Sequence, residues 1–165
     1  MANLARHLDL VGVDGLVLFN RFYLPDFDLD LLDVVPRLTL SSPYELLVRL
    51  HWVAILFGNI RADLAVTGGV HGATDVIKAM MAGARVAMMA SALLQNGIPH
   101  LAQVRADLVR WMERREYGSI AEMQGSMSYF RVAEPAAFER ANYMKVLAAG
   151  ALPTGRRPAQ DEIES

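Results

Sequence analysis

Residues Leu64 to Leu93 read LAVTGGVHGATDVIKAMMAGARVAMMASAL. Two short runs, Ala62–Val66 and Arg85–Met89, read as strands, apolar at successive positions over Leu64–Val66 and Val86–Met89. A strand covered on both faces has that pattern, because a period of two no longer separates wet from dry positions. Between them, Ala73 to Met81 has the spacing of a short helix, with Gly83 to close it. The first run ends in Gly68-Gly69 and the second, one helix later, in Ala90-Ser91. Strand, turn, helix and strand in that order predict parallel βα units. Two small-residue turns should therefore lie side by side at the C-terminal ends of neighbouring strands.

The same alternation extends outward. Residues 2 to 11 carry Leu4, Leu8 and Val11 at helical spacing, and Gly12 ends that helix. Gly15 to Phe19 is a third apolar run, predicted as a buried strand ending at Asn20-Arg21. Residues 22 to 40 read as irregular, with Pro25, Pro36 and a short β excursion at Arg37 to Leu40. Ser41-Ser42-Pro43-Tyr44-Glu45 is a helix start: a Ser N-cap, Pro at the first helical position and Glu45 three residues after Ser42. That helix runs to Phe57, where Gly58-Asn59 closes it. Ser91 to Leu94 is predicted as one helical turn. Pro99 to Arg115 is an amphipathic helix with Leu101, Val104, Leu108, Trp111 and Met112 on its apolar side.

Beyond Arg115 the alternation stops. Tyr117–Met127 and Pro135–Leu147 read as helices outside any βα repeat, and the polar tail PTGRRPAQDEIES reads as disordered. The expected organisation is a βα body over 1–115, a helical extension over 116–150 and a tail over 151–165. Parallel βα units occur in open doubly wound sheets and in the eight-fold barrel, and periodicity alone does not choose between them. A complete barrel takes roughly 250 residues; this chain has 165 and three clear strands.

Composition narrows the function classes. Net charge is −2, which gives no sign of a nucleic acid or anionic membrane partner. There is no cysteine, so disulfides and thiolate metal sites are excluded; a cytoplasmic location is the expectation. Asp9 and Asp14 interrupt the N-terminal apolar stretch, unlike a signal peptide, and no apolar run is long enough for a membrane span. His7, His51 and His100 have no partners at metal-ligand spacing, so no metal is expected.

A strand that ends in Gly-Gly and runs into a helix brings bare backbone amides to one point, and amides there favour an anion. Gly68, Gly69, Ala90 and Ser91 are thus candidate phosphate ligands through their backbone. The alternatives are a tight βα turn at Gly68-Gly69 and a plain N-cap at Ser91. Asn20, just past a strand end, is placed to meet a ligand or to cap its own loop. Arg21 and His71 read as surface side chains near the same face. Asp75, in the first turn of its helix, reads as a structural partner of the dipole. Met80, Met81, Met88 and Met89 read as core filler. Glu122, Ser126 and Ser128 form no catalytic pattern.

Thr67-Gly68-Gly69-Val70, then a helix, Gly83-Ala84, a short strand and Ala90-Ser91-Ala92-Leu93 together resemble the C-terminal end of the dihydroorotate dehydrogenase family, in particular a bacterial dihydroorotate dehydrogenase-like branch. Gly12-Val-Asp-Gly15-Leu-Val-Leu-Phe-Asn20 resembles that family's sixth strand, and the likeness covers residues 1 to about 147. It implies strands six to eight of an FMN-binding (β/α)8 barrel with a C-terminal helical extension. Gly68, Gly69, Ala90 and Ser91 would hold the FMN phosphate, and Asn20 would face the substrate or flavin. The implied activity is oxidation of a CH–CH bond, dihydroorotate to orotate or a related substrate, in pyrimidine biosynthesis. In that family the proton-transferring Ser or Cys lies on a loop after the fourth strand and the flavin-contacting Lys on the fifth strand. No residue here takes those roles: the only lysines, Lys78 and Lys145, fall on helices. The chain is therefore expected to be a truncated C-terminal half, weak in FMN binding and inactive alone, that forms a homo-oligomer or pairs with a complementing N-terminal half. Two rivals stand beside it: another phosphate-binding barrel, such as a sugar-phosphate isomerase or a synthase, and a non-enzymatic half-barrel that self-associates.

Overall fold

The computed structural model describes residues 1–20 and 25–138. Arg21, the helix expected beyond residue 138, Lys145 and the tail lie outside the described residues. The chain divides into two units, Met1–Ala133 and Glu134–Ser165. In the second unit the described part is a 3-10 turn, Pro135–Phe138.

The first unit contains α1 (Ala2–Val11), β1 (Gly15–Leu18), β2 (Asp26–Asp28), β3 (Asp33–Val35), α2 (Leu46–Leu56), β4 (Asp63–Thr67), α3 (Ala73–Ala82), β5 (Val86–Met88), α4 (Ser91–Asn96), α5 (His100–Arg114) and α6 (Ile120–Met123). Three strands form a parallel sheet in the order β1-β4-β5. Leu16 pairs with Leu64, Leu18 with Val66, and Val66 with Ala87. That row faces the helices, and Leu18, Leu64 and Val66 are buried in it. Burying side chains of this size stabilises the fold by about 1.5–3 kcal/mol each. Helix α2 packs on β1 and β4, α3 on β5 and on α2, and α5 on α3.

The opposite parity is not covered. Val17, Ala65 and Val86 form one row and Thr67 and Met88 the next, and Val17 is 53% exposed, Val86 46% and Met88 45%. The expectation of strands buried on both faces is therefore corrected: these are strands covered by helices on one side only. Side chains on the open face are apolar even so. The Leu18–Phe19 peptide, at the end of β1, is cis.

Local chemistry explains most boundaries. Gly12 closes α1 in a left-handed conformation, φ 91°, with its amide bonding Asp9 O. Leu4 and Val11 are exposed and Ala5 is the buried residue of α1, so the face expected from Leu4, Leu8 and Val11 is rotated. The Asp9 carboxylate accepts from the amides of Arg61 and Ala62 and so ties α1 to the start of β4. At the start of α2, the Ser42 amide donates to Glu45 Oε1, forming a capping box with Pro43 in the first turn. Leu101, expected on the apolar side of α5, is half exposed, while Val104 is buried.

The excursion expected at residues 37–40 is not a strand. The β structure lies earlier, as an antiparallel hairpin of β2 and β3 with Phe27 opposite Val34. The helix expected over 117–127 shortens to α6, and the following turn straps the bottom of the sheet. Gly125 N donates to Met80 O, Met127 N to Met81 O and Tyr129 N to Ala54 O, while Gln124 Nε2 donates to Ala84 O. The bonds to Met81 O and Ala54 O reach the last turns of α3 and α2, where a helix leaves acceptors open, and Met80 O also accepts from the Gly83 amide. A Cβ at Gly125 would overlap the Phe57 ring, so the strap can pass there only with glycine.

Candidate functional site

Strands β4 and β5 are adjacent and parallel, so the turns that follow them open at the same end of the sheet. A cavity of about 190 Å³ lies between these turns and the end of β1. Its walls are Thr67, Gly68, Gly69 and Val70 after β4, Met88 to Ser91 after β5, Asn20 after β1, and Ser41 from the segment before α2. All five residues singled out in the sequence, Asn20, Gly68, Gly69, Ala90 and Ser91, meet in this one cavity.

Gly68 and Gly69 have φ of 82° and 85°, a region that side-chain-bearing residues avoid. Close approach adds a second demand. A Cβ at Gly69 would overlap the backbone N of Leu46 and lie 2.9 Å from its Cα. The turn therefore packs directly on the start of α2. Among the described residues, no hydrogen bond is donated by the amides of Gly68, Gly69 or Val70 outside the helices and strands. Beyond the strand ladder, these amides have no acceptor among the described residues.

The first turn of α3 is already occupied. The Asp75 carboxylate accepts from the amides of His71 at 2.9 Å and Gly72 at 3.1 Å. The amides at the start of α3 are therefore taken by the chain's own carboxylate.

A buried positive charge stands behind the Gly68 turn, on a residue that the sequence reading passed over. Arg49 is 5% exposed, on α2. Its guanidinium donates to the carbonyls of Thr67 and Glu45 and, at 3.3 Å, to that of Phe19. It thereby joins the ends of β1 and β4 to the start of α2. It also lies against Gly68, where an added Cβ would stand 2.9 Å from Nη2. Glu45 Oε2 is 4.0 Å from Nη2, so part of the charge is compensated. The signal was available: Arg49 is the single charge in the run from Leu46 to Phe57, and an isolated charge inside an apolar helix is buried only with partners.

A polar link closes the other wall. The Ser41 amide donates to Ser91 Oγ at 3.0 Å, and Ser41 Oγ is 3.2 Å from His71 Nε2. His100 Nε2 is 2.8 Å from His71 O. His71, read as a surface residue, is half-buried and braces the segment before α2. Among the described residues, no group of three or more His, Cys, Asp or Glu stands together as a metal site. No described helix is long and apolar enough to cross a membrane.

Comparison with known proteins adds nothing to this geometry. No protein-family model matches the chain, and none of the curated proteins is similar to it in sequence.

Proposed function

We propose that residues 1–133 are the phosphate-binding part of a (β/α)8 barrel, and that the ligand is FMN in an oxidoreductase of the dihydroorotate dehydrogenase type. The observation that supports the reading best is the convergence of Asn20, Gly68, Gly69, Ala90 and Ser91 on one cavity. Sheet order supports the barrel over the doubly wound alternative. Consecutive strands are neighbours in the order β1-β4-β5, helices cover one face, and the open face is the one a barrel fills with its own interior. A doubly wound sheet reverses its order and covers both faces.

The residues present suit the phosphate end of the cofactor. Whole-ligand pockets run to roughly 300–1,000 Å³, so a cavity of about 190 Å³ suits a phosphate group with the flavin ring lying outside it. The Gly68–Val70 amides and the turn at Ala90-Ser91 would bind the phosphate oxygens, and the Ser41–Ser91 link would hold the second turn in place. Arg49 would raise the local potential from beneath the turn without touching the ligand. Asn20, at the rim, would meet the ring or the substrate. When bound, FMN supplies the hydride chemistry; this chain supplies anchoring and orientation. The remaining barrel strands, with the proton-transferring Ser or Cys and the Lys, would come from outside residues 1–165 and close over the open sheet face. A cytoplasmic location belongs to the same reading.

Flavin fluorescence titration of the whole chain tests it. FMN should bind saturably and be displaced by inorganic phosphate. Asn20→Ala should weaken FMN while leaving phosphate displacement unchanged. Saturable binding of sugar phosphates without flavin would move the assignment to an isomerase or synthase barrel, and no binding of any phosphate would remove it.

A further inference from the structure

The hairpin of β2 and β3 carries an apolar surface that the rest of the described chain does not use. Phe27, Leu29, Leu31, Leu32, Val34 and Leu38 are 53 to 87% exposed. Phe27 and Val34 are cross-strand neighbours, so they share one face. Leu29, Leu31 and Leu32 lie in the turn between the strands, and Leu38 follows Arg37, which ties the segment after β3 to the ribbon by bonding Asp26 Oδ2 at 2.7 Å. Neither strand packs substantially on another described helix or strand. An isolated two-stranded ribbon is marginal in water, and monomers rarely leave so large an apolar patch open.

Leu32 carries the argument further. It has φ 50°, where Asn or Gly costs less than a branched apolar residue. Its side chain is 87% exposed, so it contributes little to the fold of its own chain. A strained residue whose apolar side chain faces outward has its use outside the chain.

We propose that this face is a homodimer contact, closed by the same face of a second copy. Six residues of this size at this exposure present on the order of 800 Å² per copy, the area each partner gives to a standard interface. Three of the ribbon's four acids bond within its own chain, and Asp30, in the turn, is exposed. Asp26 accepts from the Phe27 amide and Arg37, Asp28 from the amides of Asp30 and Leu31, and Asp33 from the Val34 amide. Apart from Asp30, what remains is apolar, and an isologous contact sets the same patch of two copies against each other. The same bonds choose the mode of contact. The Phe27 and Val34 amides are occupied by carboxylates, which blocks strand addition at the edges and leaves packing face to face. Four aspartates in the ribbon also disfavour an anionic bilayer.

Sedimentation velocity of the full chain across the micromolar range tests the contact. The double variant Leu31→Asp/Leu32→Asn should sediment at half the wild-type mass, with self-association at least ten-fold weaker. Its melting temperature at low protein concentration should not fall, because Asn tolerates the backbone at residue 32. Added salt should strengthen the wild-type dimer by screening its aspartates. A control on the open sheet face, Val86→Asp, should leave the hairpin contact intact. The proposal is overturned if the wild type is monomeric throughout, if the double variant associates as the wild type does, or if only Val86→Asp dissociates it. Wild-type monomer that binds neutral phosphatidylcholine vesicles, with the double variant failing to bind, would also overturn it and assign the face to lipid.

Discussion

Three glycine-to-alanine substitutions separate backbone strain from close approach and measure how firmly the phosphate-site turn is built. At Gly118 a Cβ would meet only the end of the Glu122 side chain, at 3.5 Å, and the backbone is not left-handed. Gly118→Ala should change stability by less than about 0.5 kcal/mol. At Gly12, φ is 91° and nothing lies within 4 Å of an added Cβ, so Gly12→Ala reports strain alone, about 1–2 kcal/mol. At Gly69 the strain at φ 85° is joined by overlap with the Leu46 backbone. That backbone cannot retreat cheaply, because the Ser42–Glu45 capping box and Arg49 hold the start of α2. Overpacking adds about 1–3 kcal/mol, for a total of about 2–5. A chain of this size loses about 2–4 °C of melting temperature per kcal/mol. Thermal melts followed by circular dichroism should therefore rank Gly118→Ala, Gly12→Ala and Gly69→Ala in increasing order of damage. If Gly69→Ala melts with Gly12→Ala, the turn does not press on α2 and the reasoning about the cavity wall fails.

Two further outcomes follow from the same contacts. Arg49→Met removes donors from the buried carbonyl of Thr67 and from Phe19 and should cost about 3–5 kcal/mol; urea titration that gives under about 1 kcal/mol would show that the guanidinium is not what joins β1 and β4. Asp26 has its carboxyl held below the ordinary value of 3.8, first by the Arg37 hydrogen bond and then by the Phe27 amide. A depressed folded value means that this contribution is complete above the unfolded value and is lost as pH falls through the lower folded one. Carboxyl NMR titration should place Asp26 below an ordinary aspartate, and Arg37→Ala should return it most of the way.

The βα repeat could be read because its signals are local. Gly12, the Ser42–Glu45 box and Gly83 mark helix ends by short-range chemistry, and the observed helices start and stop there. The meeting of the turns after β4 and β5 could be read too, since parallel neighbours must present their ends together. The covering of the strands could not. Val17, Val86 and Met88 are as apolar as a buried strand requires, yet they are half exposed, and an apolar run does not say how many of its faces a helix covers. The hairpin was missed because Asp-Phe-Asp and Asp-Val-Val break the apolar runs that mark strands, while their carboxylates bond the ribbon's own amides. Arg49 was missed because its acceptors are carbonyls from distant strand ends, which sequence spacing does not reveal.

Close packing at Gly69 also decides how the phosphate proposal is best tested. A carboxylate placed there would report the collision with Leu46 before any anion. Ala90 is the better position: it lines the cavity, is exposed and has an ordinary φ of −116°. Unit charges a few ångströms apart near a protein surface interact by about 1–4 kcal/mol, depending on local screening. The measurement is the FMN dissociation constant of Ala90→Asp against Ala90→Asn, matched in size and differing in charge. The account predicts that the Asp variant binds at least five-fold more weakly, with the gap narrowing as salt is raised. Equal affinities for the two variants, or no FMN binding by the wild-type chain, would contradict it.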